Sequence, residues 1–194
     1  MMTITKDTFI ISDTHFGHAN ILKYEPMRKV WLGDSPDRRL CELWNERISD
    51  HDTVLHLGDF VWKGEEIERY TKALNGQKYL LRGNHDRGAQ IYMTKGFLGL
   101  IDYSAKGEAA YHVCEVEGLR ILFSHYPIVT DGFDDVHCRS LAKVFEEERC
   151  DINIHGHVHS MVLGDSRCIN ASLEAIGFVP KRLGELLEDY YKRG

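Results

Sequence analysis

At 194 residues the chain has room for one domain with a substantial core, and its 43% apolar and 28% charged content is that of a water-soluble globular protein. No apolar run is long enough to span a bilayer, and the first twelve residues lack the basic and apolar regions of a signal peptide, so a cytoplasmic location is expected. A formal charge of −6 argues against an extended basic surface for long nucleic acid, which a local patch or bound metal would have to attract.

The first apolar, β-branched run, 8–12, is expected to be a strand, and D-T-H at 13–15 follows it at once. Ser35 and Pro36 offer an N-cap and a first-turn proline for a helix carrying Leu40, Leu43, Trp44 and Ile48. A second strand, 53–57, runs into Gly58 and Asp59, after which Ile67, Tyr70 and Leu74 repeat at helical spacing up to Gly76. The third strand, 78–81, precedes Gly83, Asn84, His85 and Asp86. Residues 111–123 read as a hairpin about Glu117 and Gly118, and its second arm, extended to a strand at 120–124, ends at His125. Leu141, Val144 and Phe145 mark another helix, and the strand 151–155 precedes G-H-V-H at 156–159. A last helix is expected from Pro180, with Leu183, Leu186, Leu187, Tyr190 and Tyr191 facing inward. No repeat, low-complexity tract or linker divides the chain, so residues 1–194 read as a single α/β domain whose mixed sheets are covered by helices.

Eleven histidines are the unusual item, because imidazole is the commonest metal ligand and titrates near neutrality. They cluster with carboxylates behind the apolar runs, so five strand ends can converge on one pocket at the carboxyl edge of a sheet, where ligands bind in open α/β folds. Residues two apart on extended chain point the same way, so Asp13 with His15 and His157 with His159 can each present a pair. Gly58, Gly83 and Gly156 each stand just before a ligand-type residue, where a backbone without Cβ can turn sharply and approach an ion. Any one of these motifs is common by chance, and their order along the chain is what carries information.

That order is D-x-H, G-D, G-N-H-D, H, G-H-x-H, each behind an expected strand. It resembles the calcineurin-like metallophosphoesterase superfamily from Asp13 to His159, with every ligand position filled. The strings D-T-H-F-G-H-A-N at 13–20, H-L-G-D-F at 56–60 and S-H-Y-P at 124–127 look like a subgroup of small bacterial and phage phosphoesterases. The resemblance implies a four-layer α/β/β/α sandwich, two mixed sheets flanked by helices. It implies two divalent transition-metal ions, with Asp13, His15 and His159 on one, Asn84, His125 and His157 on the other, and Asp59 bridging both. Only a carboxylate has two anionic oxygens able to span two ions about 3.5–4 Å apart. The implied reaction is hydrolysis of a phosphate ester, a phosphodiester first and a nucleotide among the candidates, by a hydroxide bridging the ions, with His85 protonating the leaving oxygen. Nitrogen and oxygen donors suit Mn, Fe, Zn, Co or Ni, manganese first. A phosphomonoesterase or a nuclease with the same site is the alternative, and a non-catalytic interaction module on this fold is a further one.

Other residues carry two readings each. Asp86 either orients His85 or forms a turn or helix cap. His18 and Asn20 either line the pocket or cap a helix, and 24–31, with Arg28, Lys29 and Trp31, is a substrate rim or a solvated loop. His56 and His155 are expected to be core histidines satisfied by neighbours, and His51, His112 and His137 surface residues. The five cysteines, odd in number and without C-x-x-C spacing, are expected to be reduced and mostly buried. The C-x5-R spacings from Cys41 to Arg47 and from Cys114 to Arg120 match thiol phosphatases, but one lies on an expected helix and the other in a hairpin, without a glycine-rich phosphate loop.

Overall fold

The apolar runs that end in ligand-type residues are strands in a computed structural model, which describes residues 2–129 and 135–192. In chain order the elements are β1 (Phe9–Ile11), α1 (Ile21–Tyr24), α2 (Met27–Leu32), α3 (Pro36–Arg47), β2 (Thr53–His56), a 3-10 turn (Gly64–Glu66), α4 (Ile67–Ala73) and β3 (Gln77–Leu81). There follow α5 (Ile91–Thr94), β4 (Gly99–Ile101), β5 (Tyr111–Val116), β6 (Leu119–Ser124), α6 (Val136–Glu147), β7 (Ile152–His155), β8 (Cys168–Asn170), β9 (Lys181–Arg182) and α7 (Leu183–Tyr191).

One sheet has the order β4-β3-β2-β1-β9, parallel but for antiparallel β9. The other has the order β5-β6-β7-β8, antiparallel only between β5 and β6. Side-chain alternation stacks them. Ile121 and Phe123 of β6 enter the large core with Phe9 and Ile11 of β1, whereas Leu122, between them, joins Cys138, Leu141 and Phe145 of α6. Thus α6 covers the outer face of the second sheet. Leu40 and Trp44 of α3, Ile67 and Tyr70 of α4, and Leu183, Leu186 and Leu187 of α7 bury their apolar stripes in the large core. The result is the four-layer arrangement of two mixed sheets flanked by helices. All three residues of β1 are buried, as a strand covered on both faces requires.

Several expectations need correction. The last helix begins at Leu183 rather than Pro180, because Lys181 and Arg182 first pair with Ile10 and Phe9 as an edge strand. Tyr191 is 59% exposed instead of inward, as the ninth residue of a helix whose buried stripe is Leu183, Leu186 and Leu187. His112 and His137 are half-buried, the latter stacked on Tyr126 at 4.7 Å. No disulfide joins the cysteines among the described residues, but only Cys138 and Cys150 are buried and the other three are half-buried. Segment 24–31 is largely helical, being the end of α1 and most of α2.

Candidate metal centre

The residues that follow β1, β2, β3, β6 and β7 meet at one place. His15 Nε2 lies 3.5 Å from Asp59 Oδ2 and 3.9 Å from Asp13 Oδ1, and His159 Nε2 lies 3.9 Å from the same Asp13 oxygen. Across Asp59, His125 Nε2 is 3.6 Å from Oδ2, and the Asn84 amide oxygen is 2.8 Å from His125 Nε2 and 3.1 Å from His157 Nδ1. Two ligands held about 2.1 Å from one ion stand about 3.0–3.4 Å apart, so these separations have the scale of coordination spheres. All seven residues expected as ligands are therefore brought together around the Asp59 carboxylate.

The turns that deliver them are not extended chain, contrary to expectation. Asp13, His15, Asp59, His157 and His159 all have positive φ, from 48° to 71°. Non-glycine residues seldom adopt this region, and its concentration here is strain held at a site. The close approach of loops demands glycine at two points. A Cβ on Gly156 would overlap Ser12 Oγ and lie 2.5 Å from Asp13 Oδ2, and one on Gly83 would overlap Asp59 Oδ1.

Burial and charge show what the donor set fits. Asp13 Oδ1 and both ring nitrogens of His15 are buried and have no hydrogen-bond partner among the described residues. Such orphans are costly, and a cation beside them satisfies the carboxylate oxygen and one imidazole lone pair. Asp13, His15 and His159 present ligand atoms within 4.8 Å of one another, as do Asp13, Asp59 and His125. Burial pushes the Asp59 carboxyl well above its usual value, and the Asp86 and Asp13 carboxylates push it further. A cation between them would relieve that repulsion. Burial also lowers His15 to about 2 and His157 to about 4, so both are neutral and offer lone pairs. The donor set of imidazole, carboxylate and amide oxygen fits divalent transition metals.

A supporting layer stands behind this set. Glu174 accepts from His159 Nδ1 at 3.2 Å and from Arg28 Nε at 2.5 Å, and the Arg28 guanidinium donates onward to the carbonyls of Asp13 and Thr14. Burial would lower His159, but the Glu174 hydrogen bond and the Asp13 charge outweigh it and its pKa is raised. Arg28 is 2% exposed and belongs neither to a rim nor to a solvated loop. No spacing in the sequence marked Glu174, which lies 146 residues from Arg28. Asp86 accepts from the amides of Asp59, Phe60 and Gly83 and from Tyr92 Oη, so it organises the loops and makes no hydrogen bond to the His85 side chain among the described residues. His56 is a satisfied core residue bonded to Thr14 Oγ1, while His155 binds Gly156 O but leaves Nε2 without a partner among the described residues, short of the expected satisfaction.

His85 is half-exposed, its backbone amide donating to Asp59 Oδ1 and its Nε2 3.9 Å from Asp59 Oδ2. His18 stacks on Trp62 at 3.7 Å and 3°, and Trp62 lies 5.1 Å from His85. His18 therefore lines the site's edge, while Asn20 stands at the start of α1 and makes no side-chain cap. Cys41 sits in α3 with its thiol pushed by burial to about 11, and Cys114 sits in β5, also raised by burial, so neither is a reactive thiolate.

Residues 7–172 match the calcineurin-like phosphoesterase superfamily domain. An uncharacterised protein of Methanocaldococcus jannaschii is 28% identical over 90% of this chain and 86% of its own length. The gene 66 protein of Mycobacterium phage D29 is 28% identical over 87% of this chain and 88% of its own. A crystal structure of a protein of unknown function from Aquifex aeolicus superposes with a TM-score of 0.73 at 30% identity, covering 93% of this chain and 97% of that one.

Proposed function

The chain belongs to the calcineurin-like phosphoesterase superfamily, and on that premise we propose that it is a dinuclear metal-dependent phosphoesterase acting on phosphodiesters. The observation that carries this reading is the ring of nitrogen and oxygen donors around Asp59, in which Asp13 Oδ1 and the His15 ring nitrogens are buried without a hydrogen-bond partner among the described residues, beside a half-exposed His85. Asp13, His15 and His159 would hold one cation, Asn84, His125 and His157 the other, and Asp59 both. Manganese leads among Mn, Fe, Zn, Co and Ni. Bound there, the cations supply Lewis acidity, lowering the pKa of water and neutralising charge on the phosphate.

This chain's own residues do the rest. Asp59, fixed by the His85 amide, spans the donor set, and Glu174 turns His159 so that Nε2 faces Asp13. Two divalent cations against the buried carboxylates of Asp13 and Asp59 and one hydroxide leave about one positive charge. That matches a monoanionic diester better than a dianionic monoester. Burial, and after it the His125 imidazole, hold His85 below its ordinary pKa, so it is readily neutral in the free protein. An arriving phosphate anion opposes that shift, so His85 takes up a proton as substrate binds and passes it to the leaving oxygen.

The test is Asp59→Ala with elemental analysis and hydrolysis of bis(4-nitrophenyl) phosphate in Mn²⁺. The variant is expected to lose bound metal and nearly all activity. Two metals per chain in Asp59→Ala, or full turnover by wild type after exhaustive chelation, would refute the assignment. Wild-type protein that binds no transition metal when replete would favour the non-catalytic module instead.

A further inference from the structure

Beside His85 lies a cavity of about 320 Å³, lined by Val61, Trp62, Gly64, His85, Arg87 and Tyr92. None of the seven candidate ligands lines it. His85 both lines this cavity and reaches within 3.9 Å of Asp59 Oδ2, so a group leaving a phosphorus atom held at Asp59 past His85 has room here. The walls differ in chemistry. Trp62 is 42% exposed and held flat by the parallel His18 ring, which fixes an aromatic surface at little entropic cost. Tyr92 forms a closed floor, 1% exposed, its hydroxyl donated to Asp86.

Arg87 supplies the third element. In this acidic chain Arg47, Arg82, Arg120 and Arg167 each pair with a carboxylate. The exposed Arg87 guanidinium has no carboxylate within 4 Å among the described residues. A cation without a counter-charge, one residue from Asp86 and two from His85, is suited to bidentate capture of a phosphate. An aromatic surface sharing one cavity with a phosphate-attracting guanidinium, and with His85 of the candidate metal site, suits a nucleoside phosphorylated at both ends.

We infer that this cavity is a leaving-group subsite for a nucleoside carrying a second phosphate, its base along Trp62 and that phosphate on Arg87. The inference rests on the phosphodiesterase reading for what occupies the metal side, and it narrows the substrate to diesters that join nucleotides. A cyclic mononucleotide has no second phosphate and would leave Arg87 unused. A terminal phosphate and the next diester of a strand present the same group to Arg87.

Calorimetric titration of the metal-loaded protein with thymidine 3′,5′-bisphosphate, thymidine 5′-phosphate and thymidine 3′-phosphate tests this directly. Wild type is expected to bind the bisphosphate at least tenfold tighter than the better monophosphate. Arg87→Gln should bring that ratio near one, Arg87→Lys should retain part of it, and Trp62→Leu should weaken the bisphosphate about tenfold. Melting temperatures check that each variant folds. A wild-type ratio near one, or a ratio unchanged in Arg87→Gln, overturns the subsite. Comparing cleavage of TpT with that of TpTp, pTpT and a longer oligothymidylate separates the two sources: a gain complete at one added phosphate identifies the terminal group, and one growing with length identifies a strand. Hydrolysis of bis(4-nitrophenyl) phosphate is measured alongside. Its absence while bisphosphate selectivity persists would count against the hydrolase reading and leave the subsite standing.

Discussion

Glu174 offers the sharpest separation between holding the fold and holding a metal. Its two carboxylate oxygens serve different masters, Arg28 Nε at 2.5 Å and His159 Nδ1 at 3.2 Å, with both Arg28 and Glu174 side chains 3% exposed. Removing one member of a buried pair leaves an uncompensated charge, which costs about 3–5 kcal/mol. Loss of the carboxylate behind a metal-binding histidine typically costs about 10–100-fold in metal affinity. Glu174→Gln keeps the shape and one acceptor but removes the charge, so both losses are expected, read by urea unfolding and by competition for Mn²⁺ with a fluorescent chelator. The double variant Glu174→Leu with Arg28→Met removes both buried charges and should recover part of the stability while metal affinity stays low. Burial would raise the Glu174 carboxyl, but the His159 hydrogen bond and Arg28 hold it below its usual value. Its stabilising contribution is therefore complete above the unfolded value of 4.5 and is lost as pH falls through the lowered folded value. Wild-type metal affinity in Glu174→Gln, or affinity restored in the double variant, would refute this reasoning.

Gly156→Ala should displace the Asp13 carboxylate, since the added Cβ would lie 2.5 Å from Asp13 Oδ2, and reduce Mn²⁺ affinity at least tenfold with the far-ultraviolet circular dichroism unchanged. Acid should destabilise the fold through His56 and His155, both buried and lowered to about 4 by desolvation from an ordinary 6.5. The unfolded chain binds their protons first, so their contribution is full above pH 6.5 and lost between 6.5 and 4, on the order of 3 kcal/mol per histidine. Urea unfolding in metal-free buffer that shows no loss over that window would contradict it. His85→Ala should retain its metals and lose about 10²–10⁴-fold on an alkyl ester but far less on a nitrophenyl ester, whose leaving oxygen needs little protonation. Equal losses on matched esters, by steady-state kinetics, would remove the acid role.

The strand ends were legible because continuous apolar runs and ligand-type residues alternate sharply, and a strand such as β1, covered on both faces, admits little else. The short edge strands were not. β9 has two residues and no apolar pattern, and it exists because Lys181 and Arg182 meet an edge already formed by β1. The D-x-H and H-x-H pairs were legible as pairs but not as geometry. Extended chain would place both side chains on one face, whereas departures to positive φ at Asp13 and His15, either side of Thr14, turn the backbone around the site. That choice is made by contacts distant in sequence, such as the Arg28 guanidinium on the Asp13 carbonyl. A hydrogen bond between residues 146 apart leaves no period or spacing to read.

Asp86 shows how accounting for donors decides what a motif leaves open. Behind His85 in G-N-H-D, it reads equally as the group that orients the imidazole or as a turn former. A carboxylate offers about four lone-pair sites. In the fold Oδ1 takes Phe60 N and Tyr92 Oη, and Oδ2 takes Asp59 N and Gly83 N, which fills them. Nothing remains for the His85 ring. The same four bonds tie the Asp59 turn to the Gly83 loop, so Asp86 acts on the site by fixing the distance between the central carboxylate and His85. Its charge still favours a protonated His85 through space, against burial, which is the largest influence and lowers that pKa.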